Sequence, residues 1–223
     1  MPPHDFWQQI YPPQAFDPAV GFEGYYPALL ADGRHLRLPI RPLADGEHAL
    51  ASLIVNQASF AVLDVLASEL AALLAPLEPD VIAGLPTLGL TLASVVAQKL
   101  GHSRYVPLGT SRKFWYQDEL SVPLSSITTP DQQKRLYVDP RMLPLLAGRR
   151  VVLIDDVISS GTSILAGLEL LRQCGITPIA IGAAMLQSER WREKLAPHWS
   201  GETIGVFSTP MLRKTDAGSW VAL

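Results

Sequence analysis

Short apolar segments alternate with segments of helical spacing over most of the chain. Apolar runs of the length of buried strands lie at residues 80–83, 105–108, 149–154, 177–185 and 203–207. Between them, apolar residues recur every three or four positions, which predicts helices at residues 90–100, 162–174 and 188–195. Buried strands that alternate with helices are typical of a parallel sheet covered by helices on both faces. The predicted fold class is therefore α/β.

The first 45 residues differ from the rest and predict a small β-rich appendage. They are rich in proline and aromatic residues. Two strand-like segments, 25–30 and 35–40, flank an Asp32-Gly33 pair. Since glycine readily adopts the positive φ that a tight hairpin turn needs, this pattern indicates a β-hairpin.

A helix is predicted to follow the appendage. Apolar residues recur at helical spacing from Asp45 to about Leu74, and Pro76 ends the pattern. We therefore divide the chain into an N-terminal appendage, residues 1–45, and a core domain, residues 46–223.

Composition and charge argue against a disordered chain, a disulfide-stabilised protein, and a protein that binds nucleic acid or membranes through its overall charge. Hydrophobic residues make up 48% of the chain and charged residues 17%, which indicates an ordered globular protein. The net charge of −3 gives no overall attraction to nucleic acid or to an anionic membrane. Cys174 is the single cysteine, so no internal disulfide forms and a reducing compartment is expected. The most apolar stretch, 60–77, is interrupted by Asp64 and Glu69. No signal peptide is evident. We expect a soluble cytoplasmic protein.

The segment 151–163, VVLIDDVISSGTS, carries the strongest chemical signal. An apolar strand leads into two carboxylates, Asp155 and Asp156, and then into a small polar turn before a helix. Such a turn can direct backbone N–H groups and hydroxyls at a phosphate, helped by the helix N-terminus. The acid pair can hold two neighbouring hydroxyls or a hydrated metal ion. Together these features predict a site for a sugar phosphate, in which the phosphate contacts Ser159, Ser160, Gly161, Thr162 and Ser163.

A simpler interpretation stays open for this turn. Serine and threonine are favoured N-cap residues, so the hydroxyls would merely cap the following helix while one aspartate faces solvent. The coincidence of two acids, a glycine and several hydroxyls within nine residues favours the binding site.

The segment 151–163 resembles the phosphoribosyl pyrophosphate signature of the type I phosphoribosyltransferases and is especially similar to its form in orotate phosphoribosyltransferases. The resemblance covers roughly residues 80–195. It implies a Rossmann-like fold in which residues 159–163 hold the 5-phosphate, while Asp155 and Asp156 contact the ribose 2- and 3-hydroxyls near Mg²⁺. It further implies a hood over the nucleobase, formed by residues 1–45 alone or together with the C-terminal tail.

A second glycine-containing turn follows the first predicted strand of the core domain. It is similar to the loop that binds pyrophosphate through backbone amides in this family, although ordinary turn chemistry explains two glycines about equally well. The family often has a basic residue at the position of Leu88, and its absence here weakens the expected neutralisation of pyrophosphate. The predicted pyrophosphate-binding residues are Leu85, Pro86, Thr87, Leu88 and Gly89.

The polar segment 110–133 has no clear period and is predicted to be an active-site lid. Arg112 and Lys113 within it are expected to stabilise charge on the leaving group, and Glu119, or its neighbour Asp118, is a candidate for proton transfer to or from the base. The alternative is that these are ordinary solvated side chains.

The resemblance implies a phosphoribosyltransferase that transfers ribose 5-phosphate from phosphoribosyl pyrophosphate to a nucleobase, with Mg²⁺ as cofactor and a homodimer as assembly. Arg112-Lys113 and the stretch 192–195 are more similar to adenine enzymes, so a purine is favoured and orotate is the alternative base. A second hypothesis is a non-catalytic, regulatory protein that binds phosphoribosyl pyrophosphate. No nucleic-acid or membrane partner is expected.

Overall fold

The computed structural model describes residues 2–17, 21–124 and 134–223. Its first elements are the four strands of an antiparallel region followed by a long helix. These are β1 (Ile10–Tyr11), β2 (Tyr25–Leu29), β3 (His35–Pro42), β4 (His48–Ala51) and α1 (Phe60–Leu74).

The remaining elements build a parallel sheet and return to the antiparallel one. In chain order they are β5 (Val81–Gly84), α2 (Gly89–Lys99), β6 (Val106–Pro107), β7 (Ser121–Pro123), β8 (Arg135–Tyr137), α3 (Leu143–Leu146), β9 (Val151–Ile158), α4 (Thr162–Gln173), β10 (Ala180–Gln187), α5 (Arg190–Leu195), β11 (Glu202–Thr209), β12 (Met211–Lys214) and β13 (Trp220–Ala222).

The parallel sheet confirms the predicted α/β fold. Its strand order is β11-β10-β9-β5-β6, and all of its neighbouring strands run parallel. Alternate residues of β9 enter two separate apolar clusters, with Val152 and Ile154 on one face and Val151 and Leu153 on the other. Helices α1 and α2 contribute to the first cluster and α4 to the second, so both faces of the sheet are covered.

The order in which strands are added to the parallel sheet reverses between β5 and β9. From β5 it proceeds to β6 on one side, and its later strands β9, β10 and β11 lie on the other side. In open α/β sheets, ligands bind outside the carboxyl ends of the strands at such a switch point. The turns that follow β5 and β9 are therefore placed at the position where a ligand is expected.

The antiparallel sheet combines both ends of the chain. The predicted hairpin is confirmed, since β2 and β3 pair with Tyr25 opposite Pro39 and Leu29 opposite His35. The sheet continues in the order β1-β3-β4-β12-β13. Its last two strands lie in the C-terminal tail, which was considered as part of the hood but for which no strand was predicted. The hood boundary at residue 45 stays a prediction.

The helix predicted from Asp45 is wrong in its first part. Residues 48–51 form β4, which pairs with β3 on one side and β12 on the other. Helix α1 begins only at Phe60, after Ser59, whose hydroxyl accepts a hydrogen bond from the backbone N–H of Val62 at 3.2 Å. The apolar spacing before Ser59 fitted a helix as well as a strand, and the pairing with β12 decided the outcome.

Helix α1 is a core helix. Together with the turn after it, Phe60–Leu77, it is long and apolar enough by composition to cross a membrane. Its side chains Leu66, Leu70 and Leu74 are fully buried, and the helix packs against α2, β10 and β11. This packing explains its apolar character.

The segment predicted to lack regular structure contains short elements. A single turn of 3₁₀ helix, Asp118–Leu120, leads into β7, and β7 pairs with β8 in an antiparallel hairpin. These elements pack against α4. The rest of the predicted lid, residues 125–133, lies outside the described residues.

Candidate active site

The acid pair lies inside β9 rather than after it, because the strand extends to Ile158 instead of ending at Ile154. Gly84, the last residue of β5, is level with Ile154, and Asp155 is the next residue of β9. The backbone N–H of Leu85 still donates to the carbonyl of Ile154 at 2.8 Å, and then the chain turns away. Asp155 therefore lies where the two central strands separate.

Both aspartates are buried, with only 6% of Asp155 and 8% of Asp156 exposed. The backbone N–H of Asp156 donates to Oδ1 of Asp155 at 2.9 Å. Burial raises the pKa of Asp155 well above its ordinary value, and the neighbouring Asp156 carboxylate raises it further. Burial also raises the pKa of Asp156. Buried carboxyls with raised pKa values at the end of a sheet are typical of a functional site.

Gly89 allows the second turn to approach this pair closely. A Cβ atom at Gly89 would lie 2.8 Å from Oδ1 of Asp155 and 2.9 Å from its Cα. Any larger residue would therefore collide with the backbone of β9. The predicted pyrophosphate-binding turn and the acid pair are thus brought together, with the N-terminus of α2 directly beside Asp155.

The turn after β9 forms a small recess of about 90 Å³. Gly161 has φ of 75° and immediately precedes α4. A left-handed residue at this point sharpens the turn and leaves the first amides of α4 without intrahelical partners. The recess is lined by Asp155, Val157 and Ile158 and by the predicted phosphate-binding residues 159–163, which we call the cradle.

The capping interpretation does not fit the structure. The N-cap residue of α4 is Gly161, which has no side chain, and no side-chain cap is formed there. The hydroxyls of Ser160 and Thr162 instead contact each other at 3.1 Å. The cradle hydroxyls therefore do not cap α4.

Two basic residues of α5 contact the cradle. Lys194 belongs to the adenine-like stretch 192–195 but was assigned no role, and Arg190 was not predicted to be functional. Lys194 Nζ donates to Oγ1 of Thr162 at 2.6 Å. Arg190 Nη2 donates to Oγ of Ser159 at 3.3 Å. A signal was present in their spacing of four residues, since such residues share one face of a helix. Nothing in the sequence indicated that this face meets the cradle.

The turn at residues 84–90 offers mainly backbone groups. The side chain of Leu85 is buried in the core, and Leu88 packs against the apolar cluster that contains α1 and α2. Thr87 is exposed, and the peptide bond between Pro86 and Thr87 is cis. This turn can contribute amide donors, while its side chains bring no positive charge.

The predicted lid residues lie on the surface. Arg112 forms an ion pair with Asp118 at 3.2 Å, and Lys113 and Glu119 are exposed. Within the described part of the chain, no recorded contact joins Arg112, Lys113 or Glu119 to the cradle. The 3₁₀ turn that holds Glu119 packs on α4, whose N-terminus forms part of the cradle. Their functional roles stay predictions.

The acid pair fits a Mg²⁺ ion that shares its coordination with a substrate. Magnesium is commonly held by one or two carboxylates together with phosphate oxygens and waters. Among residues 2–17, 21–124 and 134–223, no group of three or more His, Cys, Asp or Glu side chains is arranged to hold a metal ion. Asp155 and Asp156 would therefore bind the ion together with oxygen atoms of the ligand.

Comparisons with known proteins point to one family. The family model described as phosphoribosyl transferase domain matches residues 51–212. The orotate phosphoribosyltransferase of Halorhodospira halophila is 31% identical over 141 residues, which cover 62% of this chain and 58% of the relative. The adenine phosphoribosyltransferase of Methylibium petroleiphilum is 35% identical over 115 residues, which cover 49% of this chain and 52% of the relative. The chain thus spans little more than half the length of these curated relatives.

A solved structure supports the fold. The APRTase from Giardia lamblia complexed with 9-deazaadenine matches with a TM-score of 0.60 at 23% sequence identity, covering 77% of this chain and 93% of that one. At this level of identity, the likeness concerns the fold. It agrees with the predicted α/β fold.

Proposed function

Because the chain belongs to the phosphoribosyl transferase domain family, we propose that it transfers ribose 5-phosphate from phosphoribosyl pyrophosphate to a ring nitrogen of a nucleobase. The observation that carries this proposal is the recess at the switch point. Asp155 and the cradle line that one recess, so groups suited to a ribose diol and to a phosphate lie side by side.

The cradle binds the 5-phosphate in this proposal. A helix N-terminus presents unpaired N–H groups and a partial positive charge, both of which favour a phosphate. The hydroxyls of Ser160 and Thr162 add further donors. Asp155 and Asp156 accept hydrogen bonds from the 2- and 3-hydroxyls, which fixes the ribose with its anomeric carbon toward the turn at residues 84–90.

The reaction is a displacement at the anomeric carbon. The nitrogen of the base forms a bond to that carbon, the bond to the pyrophosphate oxygen breaks, and pyrophosphate leaves with the electron pair. When bound to the acid pair and the substrate, Mg²⁺ neutralises part of the negative charge of the diphosphate. Amides of residues 84–90 hold the leaving group, and Arg112 and Lys113 add positive charge. Glu119 is our candidate to accept the proton from the base.

Adenine is the base we favour. Several relatives are adenine phosphoribosyltransferases, and the one from Paracidovorax citrulli is 33% identical over 132 residues. The orotate enzyme of Halorhodospira halophila keeps orotate as the alternative. A homodimer and a cytoplasmic location are further expectations taken from the family.

A second candidate is a regulatory protein that binds phosphoribosyl pyrophosphate without turnover. The observation that favours it is Leu88, which packs on the apolar core where the family often has a basic residue. With less positive charge at the leaving group, binding would persist while the rate falls.

Pyrophosphate release distinguishes the two candidates. The protein is incubated with phosphoribosyl pyrophosphate, Mg²⁺ and one base at a time from adenine, hypoxanthine, guanine, orotate and uracil. We expect release that depends on adenine. Release with orotate alone would change the acceptor, and tight binding without release for any base would contradict the enzyme and support the regulator.

A further inference from the structure

We propose that Arg190 and Lys194 of α5 bind the phosphate group held by the cradle and make the site selective for a phosphorylated ribose. This inference rests on the proposed function. It adds a pair of cations, contributed by a different element, to a site otherwise built from amides and hydroxyls.

The two cations contact opposite parts of the cradle. Arg190 reaches Ser159 at the start of the turn, and Lys194 reaches Thr162 at its end. Arg190 Nε also donates to Oγ of Ser188 at 3.3 Å. A phosphate bound at the cradle would therefore contact hydroxyls that are themselves hydrogen-bonded to the two cations.

The hydrogen bonds also orient the cradle hydroxyls. Lysine only donates, so the Oγ1 atom of Thr162 accepts from Lys194 and the proton of that hydroxyl must point elsewhere. Ser159 is oriented by Arg190 in the same way. The hydroxyl proton of Ser159 can then be donated to a phosphate oxygen, and that of Thr162 can be donated either to a phosphate oxygen or to Oγ of Ser160 at 3.1 Å. Charge-assisted hydrogen bonds such as those from Arg190 and Lys194 are roughly twice as strong as neutral ones.

Helix α5 is only six residues long, yet packing fixes its position against the cradle. Trp191 and Leu195 are 4% and 2% exposed, and the indole N–H of Trp191 donates to the carbonyl of Ser188 at 2.9 Å. The backbone of Gly161 lies directly against both, because a Cβ atom there would be 3.4 Å from Leu195 Cγ and 3.6 Å from Trp191 Cβ. The buried pair therefore holds α5 against the turn, where its two cations contact Ser159 and Thr162.

Arg192, on the same helix, provides a matched control. It pairs with Glu189 and lies over the ring of Trp191, with 4.6 Å from its guanidinium carbon to the ring centroid. It has the same charge and a similar exposure, but its recorded partners are outside the cradle. Removal of its charge should leave phosphate binding unchanged.

The test is calorimetric titration of the full chain with ribose 5-phosphate, with ribose, and with phosphoribosyl pyrophosphate plus Mg²⁺. We expect Arg190→Met and Lys194→Met each to weaken ribose 5-phosphate binding by about tenfold or more, and to reduce the dependence of affinity on salt. Lys194→Arg, which keeps the charge, should retain most of the affinity. Arg192→Met should bind like the unmodified protein.

The outcomes separate this inference from the proposed function. If the unmodified protein binds ribose 5-phosphate and both methionine variants bind it equally well, Arg190 and Lys194 have no role and the proposed function stands. If the unmodified protein binds neither ribose 5-phosphate nor phosphoribosyl pyrophosphate, both are overturned. Thermal melts check folding, and Arg190→Gln and Lys194→Gln serve as second substitutions that must repeat the loss.

Discussion

The turns after β5 and β9 lie side by side at the same edge of the parallel sheet, but they are built differently. The turn after β5 places its leucines in the apolar core and approaches β9 so closely that Gly89 has no room for a side chain. The turn after β9 directs hydroxyls into an open recess and is contacted by Arg190 and Lys194. One turn is shaped by packing and the other by polar contacts.

This difference suggests that the two turns have different roles, one in substrate binding and the other in turnover. The turn after β9 has the features of a high-affinity anion site, namely a helix N-terminus, hydroxyls and cations. The turn after β5 offers backbone amides and the exposed hydroxyl of Thr87 but no charged side chain, so charge for a leaving pyrophosphate must come from Mg²⁺ or from side chains elsewhere. We therefore expect changes at the cradle to affect binding, and changes at the other turn to affect turnover.

The largest effect is expected where the two turns meet, at the acid pair. Asp155→Asn combined with Asp156→Asn removes the charges that hold the ribose hydroxyls and the cation, and turnover should fall by more than about 100-fold. Circular dichroism should show an intact fold, because asparagine is nearly the same size. Pyrophosphate release measures the loss, and unchanged turnover would refute the assigned site.

Gly161→Ala tests the polar turn. The φ of 75° is unfavourable for alanine by about 1–2 kcal/mol, and relief of this strain would turn the cradle amides away from the ligand. Binding of phosphoribosyl pyrophosphate should weaken by roughly tenfold. Gly148→Ala is the control, since Gly148 has φ of 69° and lies in a turn where a Cβ atom meets nothing within 4 Å. Equal loss of affinity in both variants would contradict the prediction.

The pH dependence of stability tests the buried pair without any ligand. The raised pKa of Asp155 means that its contribution to stability is complete below the unfolded value, about 3.9, and is lost as the pH rises through the folded value. Asp155→Asn should therefore raise the melting temperature of the free protein at pH 7–8 by about 2–4 °C for each 1 kcal/mol relieved, and the gain should vanish toward pH 4.

Glu169 supplies a control of opposite sign. Hydrogen bonds from Arg172 lower the pKa of Glu169 to about 2, so its contribution is present above the unfolded value and is lost as the pH falls through the folded one. Glu169→Gln should slightly lower the melting temperature at neutral pH, with the difference vanishing at strongly acid pH. A gain for Glu169→Gln, or a loss for Asp155→Asn, at neutral pH would contradict this account.

The smallest effect is expected when a cation is added to the turn that lacks one. In Leu88→Lys, the aliphatic stem can keep part of the apolar packing while the ammonium group reaches the diphosphate. The rate of pyrophosphate release should rise by roughly two- to fivefold, in the range of an exposed ion pair. Leu88→Met is the uncharged control, and an equal gain in both variants would show that charge is not the cause.

Local patterns in the sequence were sufficient for the parallel sheet and for the polar turn before α4. The apolar strands, the acid pair and the glycine before α4 each depend on a few neighbouring residues. The same locality explains the error at residues 48–51, because helical spacing and strand alternation overlap in so short a segment. Pairing with β12, more than 150 residues later, determined the structure there.

The contacts of α5 with the cradle could not be predicted from local sequence patterns, because they join residues that are far apart in the chain. Arg190 and Ser159 are 31 residues apart, and Lys194 and Thr162 are 32 apart. Their contact depends on how Trp191 and Leu195 pack against Gly161, which is a property of the folded core. The sequence shows that these residues are basic, but it does not show which residues they contact.

The most direct test of the central claim is a crystal structure of the protein with ribose 5-phosphate. We predict that the phosphate lies at the N-terminus of α4, within hydrogen-bond distance of the hydroxyls of residues 159–163, and that the ribose hydroxyls contact Asp155 or Asp156. A phosphate bound at the turn of residues 84–90, or away from both turns, would contradict the assignment of the cradle.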